Sequence, residues 1–303
     1  MSFRKEQLLK NSSLFLNTLN LEQSFVKLNH KERVAILKEI LASGVHGFCF
    51  SLYEEGQKPG DFVSEEQIIK RLTILKPYTN CIRTFSCTEG NEKIPEIAKQ
   101  MGFKTLVGAW LGSDLEKNQE EINGLIKLAK NGYVDIAAVG NEVLYRKDLS
   151  EQQLLEYIAY TKNEIPTIPV GYVDAYYEFV QKPELVKHCD IILCNCYPYW
   201  EGTPFEHAIN HVAAMVKSVE NVANGKRIII TETGWPSSGE SLQQAIPTLD
   251  NALNYFISFQ NWAKANAVES YYFSSFDESW KTSSEGTVGA HWGIWDATGK
   301  LKF

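Results

Sequence analysis

Short runs of apolar, mostly β-branched residues recur along this chain, and between them apolar residues return at helical spacing. The runs are Val45–Ser51, Cys81–Ser86, Lys104–Trp110, Val134–Glu142, Ile168–Val173, Asp190–Tyr197, Arg227–Thr233 and Ser270–Phe276. Each has the length and residue types of a buried strand. Ser64 precedes Glu65-Glu66-Gln67 and Ser150 precedes Glu151-Gln152-Gln153, so each offers a capping hydroxyl with a Gln three residues later. Behind those caps, Ile68, Leu72 and Leu75 in one segment, and Leu154, Leu155 and Ile158 in the other, predict inward helix faces. Strand–helix alternation at this rhythm implies parallel pairing through crossover helices. Eight such units close more naturally than they stack as an open sheet, which predicts an α/β fold: a single (β/α)8 TIM barrel. No G-x-G-x-x-G turn follows any run, which removes the main reason to prefer a dinucleotide-binding sheet.

Residues up to Ser43 stand outside the repeat. Asn29, with Glu32 three positions on, predicts a cap for a helix carrying Val34, Leu37 and Leu41 and ended by Gly44. The expected organisation is an N-terminal helical extension, 1–43, packed on the bottom or side of a catalytic barrel, 44–303. Linkers rich in Pro or Gly and low-complexity tracts are absent, so one domain is expected.

Composition changes this picture little: 44% of the 303 residues are hydrophobic and 22% charged, enough for a sizeable core. The net charge of −7 argues against nucleic acid but not against a neutral polysaccharide. No apolar run approaches the roughly 20 residues of a membrane helix. The first residues, Met1-Ser2-Phe3-Arg4-Lys5-Glu6-Gln7, do not read as a signal peptide. As written the chain is expected in the cytoplasm, or in the periplasm or outside if an export signal has been removed. The six cysteines sit mostly in strand-like runs and read as packed thiols. Asn11-Ser12-Ser13 fits a glycosylation sequon without other signs of a secretory route.

In a parallel barrel the site lies at the C-terminal ends of the strands. Two runs end there in a carboxylate: Ile136-Ala137-Ala138-Val139-Gly140-Asn141-Glu142, and Arg227-Ile228-Ile229-Ile230-Thr231-Glu232. Paired carboxylates flanking one substrate bond are the working parts of most glycosidases. The other strand ends add Tyr53, Asp174, Tyr176 and Tyr177, then Asn195, Tyr197 and Trp200, and finally Trp235, Asp277, Glu278, Trp280 and Lys281. Aromatic faces suit the C–H faces of sugar rings, and the polar residues suit hydroxyls that would otherwise be desolvated unpaired. Arg83 is expected to hold a carboxylate inside the barrel or to touch substrate. His46 reads as a satisfied core histidine. His207 and His211 lie at helical spacing, but no third metal ligand accompanies them.

Val139-Gly140-Asn141-Glu142-Val143 and Thr231-Glu232-Thr233-Gly234-Trp235-Pro236-Ser237 resemble the two catalytic signatures of glycoside hydrolase family 17. Ile82-Arg83-Thr84-Phe85, Gly108-Ala109-Trp110-Leu111-Gly112, Asn195-Cys196-Tyr197-Pro198-Tyr199, Phe276-Asp277-Glu278-Ser279-Trp280-Lys281 and Ala290-His291-Trp292-Gly293-Ile294 are similar to further blocks of that family in its order. Tyr53, Gln57 and Pro59 resemble the first loop of its bacterial and fungal branch.

The resemblance implies a retaining β-1,3-glucanase without metal or organic cofactor, acting on β-glucan oligo- or polysaccharide, and expected as a monomer. It implies Glu142 as general acid/base and Glu232 as nucleophile, with their carboxyl groups about 5–5.5 Å apart. Like-charge repulsion from Glu232 is expected to keep Glu142 protonated. Asn141 is implied on the sugar 2-hydroxyl and Tyr197 on the nucleophile. Glu278 and Lys281 resemble a pair beside the acid/base, and Tyr53, Asp174, Trp200 and Trp235 complete the expected substrate contacts. The alternative is a β-1,3-glucanosyltransferase using the same two glutamates, since the sequence carries no evident switch between water and sugar as acceptor. A silent glucan-binding protein would have no need for two mutually repelling glutamates.

Overall fold

A computed structural model describes residues 27–303 of the chain. Eight parallel strands close into one barrel in sequence order, the last hydrogen-bonded to the first. They are β1 (Gly47–Cys49), β2 (Cys81–Thr84), β3 (Lys104–Ala109), β4 (Ile136–Asn141), β5 (Val170–Ala175), β6 (Ile192–Asn195), β7 (Ile228–Thr233) and β8 (Ser270–Tyr272). Each overlaps one predicted run, but most stop short of its C-terminal end. There the backbone leaves the ladder to turn side chains over the barrel mouth. Register shifts interrupt pairing near the ends of β4 (Ala138/Asn141), β6 (Cys194/Asn195) and β7 (Ile230/Thr233). Bulges of this kind re-aim side chains next to functional sites.

The outer helices are α1 (His30–Ser43), α2 (Glu65–Leu75), α3 (Lys93–Gln100), α4 (Leu115–Lys130), α5 (Val143–Arg146), α6 (Glu151–Glu164), α7 (Tyr176–Gln181), α8 (Pro183–His188), α9 (Ala208–Glu220), α10 (Leu249–Ala265) and α11 (Thr282–Glu285). Ser150 forms the expected reciprocal capping box with Gln153, a device worth about 1 kcal/mol. Ser64 caps α2 through the Gln67 amide, but the Gln67 side chain turns away. Its amide donates to Leu52 O at 2.7 Å and to Gln57 at 2.6 Å, which ties α2 to the loop after β1.

The described part of the N-terminal extension is α1, capped reciprocally by Asn29 and Glu32 as expected. It lies on the side of the barrel against α10. Arg33 donates to Asn254 at 2.9 Å and to Asp250 at 3.1 Å. That cover explains why α10 buries an unbroken stretch from Ala252 to Gln260 rather than one stripe. Leu37 and Leu41 are the buried apolar side chains of α1 itself, each contributing about 1.5–3 kcal/mol. Residues 1–26 of the expected extension, with the Asn11 sequon, lie outside the described residues.

The six cysteines are free thiols, and burial raises those that shift, Cys49 to about 12. His46 Nδ1–H donates to Ser270 O, 3.0 Å away, with its ring edge-on to Tyr271. Among the described residues no helix is long and apolar enough to cross a membrane.

Candidate active site

Glu142 follows the last residue of β4 and its backbone is left-handed, with φ 52° and ψ 28°. For a residue with a Cβ this costs about 1–3 kcal/mol and persists only where surroundings enforce it. Gly140, two positions earlier, has φ 85°, and a Cβ there would lie 2.8 Å from Val143 Cγ2. The Glu142 amide donates to Val173 O at 2.8 Å, and the Glu142 carbonyl accepts from the Arg146 amide at 2.9 Å. The Arg146 guanidinium donates to Asn141 O at 2.5 Å and Leu111 O at 2.9 Å, gripping the carbonyl just before Glu142.

Glu232 arrives from the bulged end of β7 and is buried. Arg83 Nη1 donates to its Oε1 at 2.6 Å, and Tyr197 Oη donates to its Oε2 at 2.8 Å. The second Arg83 nitrogen donates to Asn141 Oδ1 at 2.7 Å. Arg83 is therefore the carboxylate holder of the two roles expected for it. Its guanidinium is buried, which opposes its charge, but Glu232 holds its pKa above the ordinary value.

Glu142 is served differently. It receives one amide donor, Asn195 Nδ2 at 3.0 Å, and Asn195 Oδ1 accepts from the Thr231 hydroxyl at 2.8 Å. Burial first, and the charge of Glu232 second, raise the Glu142 pKa; Asn195, Arg146 and Arg83 only partly offset this. Like-charge repulsion is thus the smaller of the two causes. Two carboxyl groups in one cavity are held unequally, one saturated by donors and one enclosed and inclined to keep a proton.

Both glutamates line a cavity of about 850 Å³ at the barrel mouth, together with Tyr53, Asn141, Tyr197, Trp200, Glu278 and Lys281. Trp110 stands at its edge, 42% exposed, with the Arg146 guanidinium 4.7 Å from its ring centre. Trp200 leans on Trp292, and Tyr53 meets Trp280 edge to face.

Two expected substrate contacts do not reach the cavity. Trp235 is buried, its indole N–H donating to Ile246 O at 3.0 Å and its ring packed among Tyr199, Phe205 and Tyr255. It is a support beneath the β6 loop. Asp174 is fully buried against Tyr172 and the start of α5. Burial and the neighbouring Glu142 push its carboxyl up to about 8. Asp174 on β5 and Trp235 just past β7 both turn their side chains into the packed wall rather than the opening.

Glu278 and Lys281 form an ion pair at 2.5 Å. Lys281 is buried, feels Glu278, Glu285 and Glu232, and sits over the Phe273 ring, so it lies on the Glu232 side.

Three further polar features escaped the sequence reading. Glu285 reaches the cavity and is raised to about 7, chiefly by burial. Glu121 accepts from the Cys87 amide at 2.7 Å and the Trp110 amide at 3.0 Å, holding the ends of β2 and β3 together. His211 Nε2 lies 2.5 Å from the buried Glu201 carboxylate. Glu121 and Glu285 lie on helices far from the strand ends in sequence, and no local pattern marks a helix carboxylate as inward-facing.

The chain is similar to known proteins across this whole framework. It is 29% identical to a glycoside hydrolase family 17 β-1,3-glucanosyltransferase from Rhizomucor miehei, with a TM-score of 0.77 over 86% of this chain and 96% of that one. It is 28% identical to a glucan 1,3-β-glucosidase of Schizosaccharomyces pombe over 88% of each chain. The corresponding protein of Saccharomyces cerevisiae is 26% identical over 77% of this chain and 82% of its own length. The family model of the BtgE/BtgC glycoside hydrolase domain matches residues 47–293, from β1 to the edge of the final loop. The chain belongs to the BtgE/BtgC glycoside hydrolase family, a glycosidase of family 17 type.

Proposed function

We propose that this chain is a retaining glycosidase that cleaves β-1,3-glucan or its oligosaccharides through a covalent glycosyl-enzyme. The observation that carries the reading is the unequal setting of the two glutamates in one cavity. Glu232, with Arg83 on one oxygen and Tyr197 on the other, is suited to attack as a carboxylate. Glu142, enclosed and raised, is suited to donate a proton.

In the first step a Glu232 oxygen bonds to the anomeric carbon as the glycosidic C–O bond breaks, and the Glu142 proton goes to the departing oxygen. In the second step Glu142 takes a proton from water, whose oxygen bonds to the anomeric carbon, and Glu232 is released as a carboxylate. Asn141, its Oδ1 taken by Arg83, keeps its amide nitrogen for a sugar hydroxyl. Linkage follows the relatives, whose names specify β-1,3-glucan.

Transfer to a second glucan instead of water is the alternative, favoured by the Rhizomucor miehei glucanosyltransferase among the similar structures. Only the acceptor that Glu142 deprotonates distinguishes the two.

Incubation with a purified linear β-1,3-gluco-oligosaccharide, with product sizes read by mass spectrometry and the first-formed anomer by proton NMR, tests the proposal. Shorter products of β configuration are expected. Products longer than the substrate establish transfer, and first-formed α product overturns retention. An unchanged substrate with folded protein overturns the β-1,3 assignment.

A further inference from the structure

The left-handed backbone at Glu142 is not self-supporting, and the structure shows what surrounds it. The second and third amides after Glu142, in α5, end on side chains of the neighbouring strand β5. Leu144 N–H donates to Tyr172 Oη at 2.9 Å, and Tyr145 N–H donates to Asp174 Oδ2 at 3.2 Å. Tyr172 Oη is itself hydrogen-bonded to Asp174 Oδ2, and Asp174 Oδ1 accepts from the Ala175 amide at 2.7 Å. Both side chains are fully buried, and neither lines the cavity. A Cβ on Gly140 would come within 3.5 Å of the Tyr172 ring, so the same tyrosine also packs on the approach to Glu142.

We infer that Tyr172 and Asp174 form a positioning pair that fixes the turn carrying Glu142 and thereby aims its carboxyl at the glycosidic oxygen. The inference rests on the proposed acid role of Glu142. Tyr172 is the hinge of the pair, because its oxygen receives the turn on one side and meets Asp174 on the other. Removing that oxygen leaves the Leu144 amide without its acceptor. Each Asp174 oxygen faces a backbone N–H, Oδ1 that of Ala175 and Oδ2 that of Tyr145, so an amide in its place must turn its NH2 on one of them.

The consequence is specific to proton donation. A misaimed acid slows departure of a poor leaving group but not of one that departs without a proton. Tyr172→Phe and Asp174→Asn are therefore compared with wild type and Glu142→Gln on two substrates: a β-1,3-gluco-oligosaccharide, and a 2,4-dinitrophenyl β-glycoside of the same glycone. On the oligosaccharide both variants are expected to lose about 10- to 100-fold in kcat with KM within about twofold, the size of a small misplacement of a reacting group. On the dinitrophenyl substrate formation of the glycosyl-enzyme, followed by the burst of dinitrophenol, is expected within about threefold of wild type. Equal losses on both substrates would overturn the inference, because a general structural defect or damage to Glu232 acts on both. So would wild-type rates on both. Glu142→Gln separates this outcome from the underlying reading: if it too loses both activities equally, Glu142 is not the acid. Should Tyr172→Phe fold poorly, the isosteric Asp174→Asn carries the test.

Discussion

Arg83 joins the two halves of the site through one guanidinium: Nη1 lies 2.6 Å from Glu232 Oε1, and Nη2 lies 2.7 Å from Asn141 Oδ1. A single buried cation on β2 thus sets the position of a carboxylate on β7 and of the amide preceding Glu142 on β4. Its planar fork reaches both at once, which an ammonium cannot do.

Arg83→Met leaves Glu232 buried without its cation and Asn141 without its donor. Stability is expected to fall by about 3–5 kcal/mol, the usual consequence of removing one partner of a buried ion pair. Urea unfolding measures it. Arg83→Lys is expected to recover part of the stability but not the turnover. Wild-type activity in the lysine variant would show that the second arm of the fork is dispensable.

Glu142 is raised by burial first and by Glu232 second. Glu232→Gln removes only the second cause. Carbon-13 NMR of the Glu142 carboxyl should show its midpoint moving down in that variant while staying above the ordinary value near 4.3. A complete return to the ordinary value would make charge, not enclosure, the dominant cause. The sign for catalysis follows: turnover is lost as pH rises through the Glu142 midpoint, because the donor is then empty.

Asp174, with its carboxyl raised to about 8, predicts a pH-dependent stability. A carboxyl that holds its proton more tightly when folded stabilises fully below its unfolded pKa of about 3.9, and loses that contribution as pH rises toward 8. Thermal or urea unfolding between pH 5 and 8 should therefore show a decline that Asp174→Asn flattens. A slope unchanged by the substitution assigns the decline to other groups.

Gly140→Ala forces a Cβ to within 2.8 Å of Val143 Cγ2 at a φ of 85°. About 1–3 kcal/mol of stability should be lost, with turnover falling further than binding because Glu142 is two residues away. Calorimetry together with kcat and KM checks both parts.

The fold was readable because its signals are local and repeated. Strand-length β-branched runs, Ser150 with Gln153, and Asn29 with Glu32 each declare an element within a few residues. A lone carboxylate at the end of an apolar run reads as a solvated rim residue; Glu142 and Glu232 stood out because there are two of them, each inside a motif that resembles a family signature. What escaped was inside versus outside at the strand ends. Asp174 and Trp235 sit in segments as rim-like as those of Tyr197 and Trp200, yet both are walled in. The register shifts near the ends of β4, β6 and β7 decide which side chains reach the opening, and a shift of pairing has no signature in one strand alone. Gln67 illustrates the same limit: its spacing from Ser64 is that of a capping box, but a competing acceptor on the β1 loop, distant in sequence, claims its amide.

Asn195 ties the Thr231 hydroxyl to one end of its amide and Glu142 Oε1 to the other. Its nitrogen is a donor, so Oε1 is an acceptor and the acidic hydrogen belongs on Oε2. If Glu142 is the acid we propose, the carboxyl has a defined handedness of delivery: one of its two oxygens carries the hydrogen, and the departing sugar approaches from that oxygen's side. In the proposed acid role of Glu142, an amide on β6, beside the strand of Glu232 and two strands from that of Glu142, thus selects, before any substrate arrives, the direction from which a bond can be broken.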